Sequence, residues 1–339
     1  MKRHFIRKLK SGNTIFMRVT QKKIAEEMGV SISLVSRVLS GSARSIGVPY
    51  DTIKEVEETA SKMGYIPNRA AQALKGKSTH TIGVVVYDFK DPFFSDFVAQ
   101  LQEKLHSTGY STILVGFSDR QIDERDLTPL RQHILDAVII LGSDFIDTIQ
   151  KDIKVAPIFR IGHKREGEPT VSYCPDEEDS AEVLADYLSQ GGCKKTQIVQ
   201  AEIWNHNIRV EAMQRAFSKR GLEVELFTSS VKPYYDAGLD FVENHLDLNN
   251  LPDVIVCTVD QIAIAVMGKL MEKGIEIPKD VKVTGFDDIR FARQFYPALT
   301  TFSQPMGQVI DKIIARIKSC NFEPGVESMK CPFVKRQSC

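Results

Sequence analysis

At 339 residues the chain is too long for one ordinary domain and points to two or three. Its apolar share of 42% and charged share of 26% are those of globular proteins, and no apolar run approaches the ~18 residues of a membrane span. The formal net charge of +0 hides an asymmetry: residues 1–78 hold 15 Lys/Arg against 6 Asp/Glu, and the rest of the chain carries the reverse excess. A basic module on an acidic body is the pattern expected of a nucleic-acid binder with a separate regulatory core.

The N-terminal stretch Met1 to Lys8 is basic but lacks the apolar segment of a secretory signal, so a cytoplasmic protein is expected. Cysteines 174, 193, 257, 320, 331 and 339 form no C-x-x-C pair and have no histidine at metal spacing. Free thiols are expected, with no disulfide framework, no metal and no cofactor.

Residues 1–18 are polar and aperiodic and read as a disordered arm, with Met17 an alternative start. Order is expected from Val19. Thr20 is a good N-cap, Ile24, Ala25 and Met28 share one face, and Gly29 supplies the left-handed stop. Ser31 caps a second helix from Ile32 to Leu39, with Leu34, Val35 and Val38 on its inner side. Two short helices around a glycine turn make a helix-turn-helix, although the same spacing also occurs in proteins that bind no DNA. The outward residues near the start of the second helix are Ser31, Ile32, Ser33, Ser36 and Arg37. Arg37 can donate twice to guanine, and Ile32 can offer only apolar contact. A third amphipathic helix is expected over Thr52–Met63. The stretch Arg69 to Lys75 is too short to be a stable helix alone; it is either linker or a helix that folds against a partner.

From Thr81, short β-rich runs alternate with amphipathic segments. Strands are expected at 82–86, 111–115, 137–141, 196–200, 253–257 and 281–284. Helices are expected near 94–107, 121–134, 177–190, 209–220, 236–246 and 260–273. This repetition predicts an α/β core of two doubly wound subdomains, with ligand bound beyond the strands' carboxyl ends. Asp260 is expected to cap its helix, Arg209 to open one, and Trp204-Asn205 to lie in a loop.

The string Val19-Thr20, Ile24-Ala25, Gly29-Val30-Ser31, Val35 to Leu39 and Gly41 resembles the DNA-binding head of the lactose-repressor (LacI/GalR-type) family. Tyr65 to Leu74 looks like that family's hinge, and Tyr296 to Pro305 resembles the crossover of its purine-repressor branch. The resemblance implies a three-helix head, a hinge helix and a periplasmic-binding-protein-like core. It divides the chain into 19–66, 67–78 and 79–339. Within the core one subdomain would hold about 80–172 and 302–331, the other about 173–301 and 332–339. It also implies a homodimer on palindromic double-stranded DNA, with no membrane partner. Phosphate contacts would fall to Thr20, Gln21, Lys22 and Asn68. Minor-groove contacts would fall to Ala71, Gln72, Leu74 and Lys75, with Leu74 wedged into the central base step. Contacts to a small-molecule effector, a sugar or related polar metabolite, would fall to Phe93, Phe94, Asp144, Asn205, Arg209, Val259 and Asp287.

Three departures stand out. Ser40 replaces the family's usual Asn, which can alter one phosphate contact. The loop Arg44 to Tyr50 is about three residues longer than usual; Arg44 could reach an extra phosphate, or the loop is a tolerated insertion. Val259 replaces an Asn common in sugar-binding members. Rival readings are an enzyme of sugar metabolism, a solute receptor, and a regulator without ligand control. No G-x-G-x-x-G, P-loop or nucleophile elbow occurs, so the sequence signals no enzyme. A solute receptor would need a signal peptide and has no use for the basic head.

Overall fold

Hydroxyl caps start the first two helices. Thr20 Oγ1 accepts from the Lys23 amide at 3.3 Å at the head of α1 (Gln21–Met28). Ser31 Oγ accepts from the Leu34 amide at 3.1 Å at the head of α2 (Ile32–Leu39). Gly29 joins them at φ 66, a conformation that costs an L side chain about 1–2 kcal/mol. The helix α3 (Tyr50–Met63) starts two residues before the expected Thr52, because Pro49 is already fixed at φ −57 and sets the chain up for the first turn. Ile24, Ala25, Val35, Val38, Ile53, Val56 and Ala60 close one small core. In a core this small each cap matters: Ser31→Ala is expected to destabilise α2 by about 1 kcal/mol, read as faster amide exchange at Leu34.

The computed structural model describes residues 19–65, 78–116, 123, 125–142, 156–231 and 233–339. The chain divides into two units, Met1–Lys77 and Ser78–Cys339. The arm over 1–18, the hinge residues Asn68, Ala71, Gln72, Leu74 and Lys75, and Asp144 lie outside the described residues. The extended loop contains a 3₁₀ turn, Arg44–Ile46, and the Arg44 guanidinium lies 5.9 Å from the centre of the Tyr50 ring.

In the second unit the first sheet has six parallel strands in the order β11-β5-β4-β3-β1-β2. They are β1 (Thr81–Val86), β2 (Ser111–Gly116), β3 (Ala137–Leu141), β4 (Ile158–Ile161), β5 (Val171–Pro175) and β11 (Gly325–Met329). Helix α4 (Pro92–Ser107) follows β1, and α5 (Thr128–Arg131) is only one turn where a longer helix over 121–134 was expected. The second sheet has order β7-β6-β8-β9, all parallel. Its strands are β6 (Lys195–Ala201), β7 (Glu223–Ser229), β8 (Val254–Cys257) and β9 (Lys282–Thr284). Around it lie α6 (Glu177–Gln190), α7 (Trp204–Lys219), α8 (Tyr234–Asp240, continued by a π turn Phe241–His245), α9 (Asp260–Glu272) and α10 (Arg290–Gln294).

Each sheet is covered on both faces, so β1, β3 and β8 are almost wholly apolar, as buried parallel strands tend to be, while the buried Arg160 of β4 is paired with Glu168. After a short pair, β10 (Thr301–Phe302) with β12 (Phe333–Val334), helix α11 (Met306–Ser319) returns to the first sheet. It buries Val309, Ile310, Ile313, Ile314 and Ile317 there and delivers β11 beside β5. The chain therefore passes between the sheets near 176, 303 and 331. The first passage follows β5, three residues beyond the expected boundary at 172. The passages are tied together: the Asp176 amide donates to Met329 O, and the Ser303 amide to Pro332 O, both at 2.9 Å.

Candidate functional site

The carboxyl ends of both sheets meet around a cleft of about 100 Å³. From the first sheet come Tyr87 and Asp91 after β1, Gly142 after β3, His163 after β4 and Glu177 after β5. From the second come Asn205, His206 and Arg209 after β6, Val259 after β8 and Asp287 after β9. Phe93, Phe94, Tyr234 and Gln304 complete the wall. Six of the seven residues that the resemblance assigns to the effector, Phe93, Phe94, Asn205, Arg209, Val259 and Asp287, line this one cavity.

Arg209 has its guanidinium engaged by groups of the protein itself. Its Nε and Nη2 donate to the two Glu177 oxygens at 2.8 and 3.0 Å, and Nη1 donates to Thr258 O at 2.6 Å. Its guanidinium also stacks 3.5 Å from the centre of the Phe286 ring. Burial alone would raise the Glu177 carboxyl, but Arg209 and His163 hold it below the usual carboxylate range. His163 Nε2 lies 3.1 Å from Glu177 Oε1. Burial lowers its pKa, yet Cys174 and Glu177 outweigh that and push it up to about 9.

Sequence reasoning missed Glu177 as a site residue. It sits in the run Asp176-Glu177-Glu178-Asp179, which reads as an ordinary acidic first turn; Asp176 does cap α6 through the Asp179 amide at 3.1 Å. Only the arrival of Arg209 from another helix distinguishes Glu177, buried to 6% exposure, from its neighbours.

Three expectations about local structure need correction. Arg209 lies in the second turn of α7, which begins at Trp204, so Trp204 and Asn205 are helical and not in a loop. The half-buried ring of Trp204 has the Arg165 guanidinium 6.0 Å from its centre. Asp260 is not a cap. It is the first residue of α9, and its carboxylate accepts from the Ile289 amide at 2.9 Å and the Thr301 hydroxyl at 2.6 Å. A capping role would have needed the helix's own amides; instead Asp260 ties the β9–α10 connection to β10. Gly285 makes room for it, since a Cβ there would collide with the Asp260 carboxylate.

Asp287 sits at φ 112, a region sparsely used by L residues, held by a bond from its amide to Phe302 O at 2.9 Å. Its Oδ1 accepts from Gln304 Nε2 at 2.6 Å. Burial raises its pKa to about 7, against the pull of Arg209 and with a push from Asp91. Asp91 caps α4 by accepting from the Phe93 amide at 2.8 Å and the Phe94 amide at 3.3 Å, and Gln261 donates to its other oxygen at 3.1 Å. Burial raises it to about 6 despite these donors.

In the first unit, the leading half of α2 is open. Ile32 is 48% exposed, Ser31, Ser33 and Arg37 are exposed, and Ser36 is half-buried. Among the described residues nothing pairs with the Arg37 guanidinium. Thr20 and Lys22 are exposed, Gln21 is half-buried, and Lys22 makes only a 3.9 Å contact with Glu26. Ser40, the first departure, bonds inward to Arg37 O at 3.1 Å. A short apolar, hydroxyl and guanidinium face at a helix N-terminus is what base-edge and phosphate contact requires.

A family model described as periplasmic binding protein-like domain matches residues 185–339. The HTH-type transcriptional regulator RegA of Clostridium saccharobutylicum is 29% identical over 318 residues, covering 89% of this chain and 93% of its own. The HTH-type transcriptional repressor PurR of Glaesserella parasuis is 25% identical over 320 residues, covering 90% and 92%. A lac repressor dimer bound to operator and the anti-inducer ONPF has the same fold, with TM-score 0.78 at 20% identity over 95% of this chain and 99% of that one. A helix-turn-helix head, two parallel sheets meeting at a cleft and relatives matching about nine-tenths of the chain agree: the chain carries a periplasmic binding protein-like domain over 185–339 and is similar along most of its length to HTH-type transcription regulators, with the fold of the lac repressor.

Proposed function

We propose that the chain is a transcription repressor that binds a palindromic operator as a homodimer and whose operator affinity is set by a small molecule in the core cleft. The supporting observation is the pairing of two separate features in one chain. One is the open α2 face carrying Ile32, Ser33 and Arg37; the other is a cleft of mainly apolar and aromatic lining with a few charged groups and, among the described residues, no arrangement for covalent chemistry. A C2 dimer suits a two-fold DNA site. The working place is the cytoplasm, on the nucleoid. In this reading Asn68 adds a phosphate contact, while Ala71, Gln72, Leu74 and Lys75 enter the minor groove.

Selection from random DNA by the full chain tests this reading: a two-fold symmetric site is expected, and an unsymmetric one or none overturns it. On the selected site Lys22→Ala is expected to lower affinity by a similar factor for all sequences. It should also reduce the slope of log K against log salt by about one, since it removes one phosphate contact. A slope equal to that of the parent chain would remove Lys22 from the interface.

A ligand acts on operator affinity only through unequal affinity for two states of the core. At about 100 Å³ the cleft is below the ~300–1,000 Å³ of pockets that hold drug-sized ligands, so its occupant in this conformation is compact.

A further inference from the structure

Resting on that reading, we infer that the cleft takes a compact ligand carrying a protonated primary or secondary amine, with Asp287 and the Asn205 carbonyl as its acceptors.

Charge inside the cleft leads there first. The one guanidinium in the wall is cancelled by Glu177 in a two-bond pair, and its third bond goes to a main-chain carbonyl. A ligand carboxylate or phosphate would have to displace Glu177 while facing Asp91 and Asp287. With Glu177 matched to Arg209, and His163 the remaining cation, Asp91 and Asp287 leave the wall one negative charge in excess when both are ionised. Asp260 lies behind them, and burial raises it well above the carboxylate range, with Asp287 adding to the push. His206 adds no cation, because burial and then Arg209 lower it to about 3.

Hydrogen bonding points the same way. Asp287 is 8% exposed, and no described residue bonds its second oxygen. Asn205 Oδ1 is buried without a partner. A buried acceptor left empty costs about 1–3 kcal/mol, so Asn205 Oδ1 calls for a donor, and the second Asp287 oxygen is available to share it. An ammonium donates only, whereas a hydroxyl also brings lone pairs to a wall already rich in acceptors. Tyr87, Phe93, Phe94 and Tyr234 supply the aromatic faces that attract a cation shielded from water. A quaternary ammonium would use those faces but leave both acceptors empty, so the nitrogen must carry N–H groups.

Proton competition gives a second signature. Asp287 titrates near 7 and Asp91 near 6, so a cation binds best once both have lost their protons. Arg209, Glu177 and Gln304 face Asp287, while Asp88, Gln261 and two helix amides face Asp91; His163 stays charged up to about 9. Amine affinity is therefore expected to rise roughly tenfold from pH 6 to pH 8.

The test is thermal shift and calorimetry on the full chain with two matched sets of probes. One set is cyclohexylamine, cyclohexanol and cyclohexyl phosphate; the other is glucamine, sorbitol and sorbitol 6-phosphate. The amine of at least one set is expected to bind at least tenfold more tightly than its alcohol and phosphate partners, with the stated rise in affinity with pH. Asp287→Asn should weaken that amine tenfold or more and flatten the pH dependence. Asn also tolerates a positive φ, so the variant should fold, and an unchanged melting temperature without probe would verify that. An alcohol or phosphate that matches or exceeds its amine in both sets overturns the inference, and so does the absence of binding by both amines. An amine that binds but leaves operator affinity unchanged overturns ligand control instead and leaves the amine site standing.

Discussion

Glu177→Ala is expected to cost the core about 3–5 kcal/mol, the scale of removing one partner from a buried ion pair. The variant leaves Arg209, 7% exposed, with two of its bonds gone and its charge unmatched below the ring of Phe286. The cost comes from the stranded cation more than from the lost attraction. Replacing both residues with methionine should therefore recover most of the loss, because a hydrophobic pair of similar volume has no charge to desolvate. Trp204, the chain's single tryptophan, lies in the first turn of the same helix, so urea denaturation followed by its fluorescence reports this unit. A Glu177→Ala core as stable as the parent would show that Arg209 finds another partner. The pH dependence has a definite sign. The Glu177 carboxyl is depressed in the folded state, so its contribution is present above its unfolded pKa of about 4.3 and is lost as pH falls through the folded value.

Arg37→Ala is expected to weaken operator binding by about 1–3 kcal/mol, roughly 5- to 150-fold, and to relax base choice at one position in each half-site. Exposed, and without a partner among the described residues, this guanidinium is expected to carry little of the fold's stability. The melting temperature of the free chain should therefore stay constant while specific affinity falls. Competition binding against single-base operator variants separates the two possible roles. Equal losses on every variant would make Arg37 a phosphate contact, contrary to the base-reading role given to it.

Much of this architecture was legible because its signals are local. Thr20, Gly29 and Ser31 mark helix ends by chemistry that needs only a few neighbouring residues, and all three act where they were expected. The runs Ile82 to Val86 and Ala137 to Leu141 announce buried parallel strands for a similar reason. Strands β7 and β11 gave less signal, since each mixes charged and exposed positions at a sheet edge, Glu223 and Glu225 in one and Glu327 in the other. The one-turn α5 shows the reverse error: Pro129 fits only a helix's first turn, so the helix begins at Thr128, later than expected.

At the cleft, chain position was readable but partnership was not. Arg209 and Asp287 do line one cavity, yet the guanidinium turns to Glu177, 32 residues away in sequence, and the aspartate turns to Gln304. Asp260 had the spacing of a cap and instead joins two segments far along the chain. Such pairings depend on how strands from two sheets are brought together, which no short window of sequence contains.

Ligand control of DNA binding is tested most directly by titrating the selected operator with the full chain, with and without a saturating cleft ligand. Coupling of about 1–3 kcal/mol predicts a 5- to 150-fold change in operator affinity, and by linkage the operator must change ligand affinity by the same factor. The change should disappear in Asp287→Asn while bare operator binding persists. Equal operator affinity with the cleft filled and empty would contradict the account.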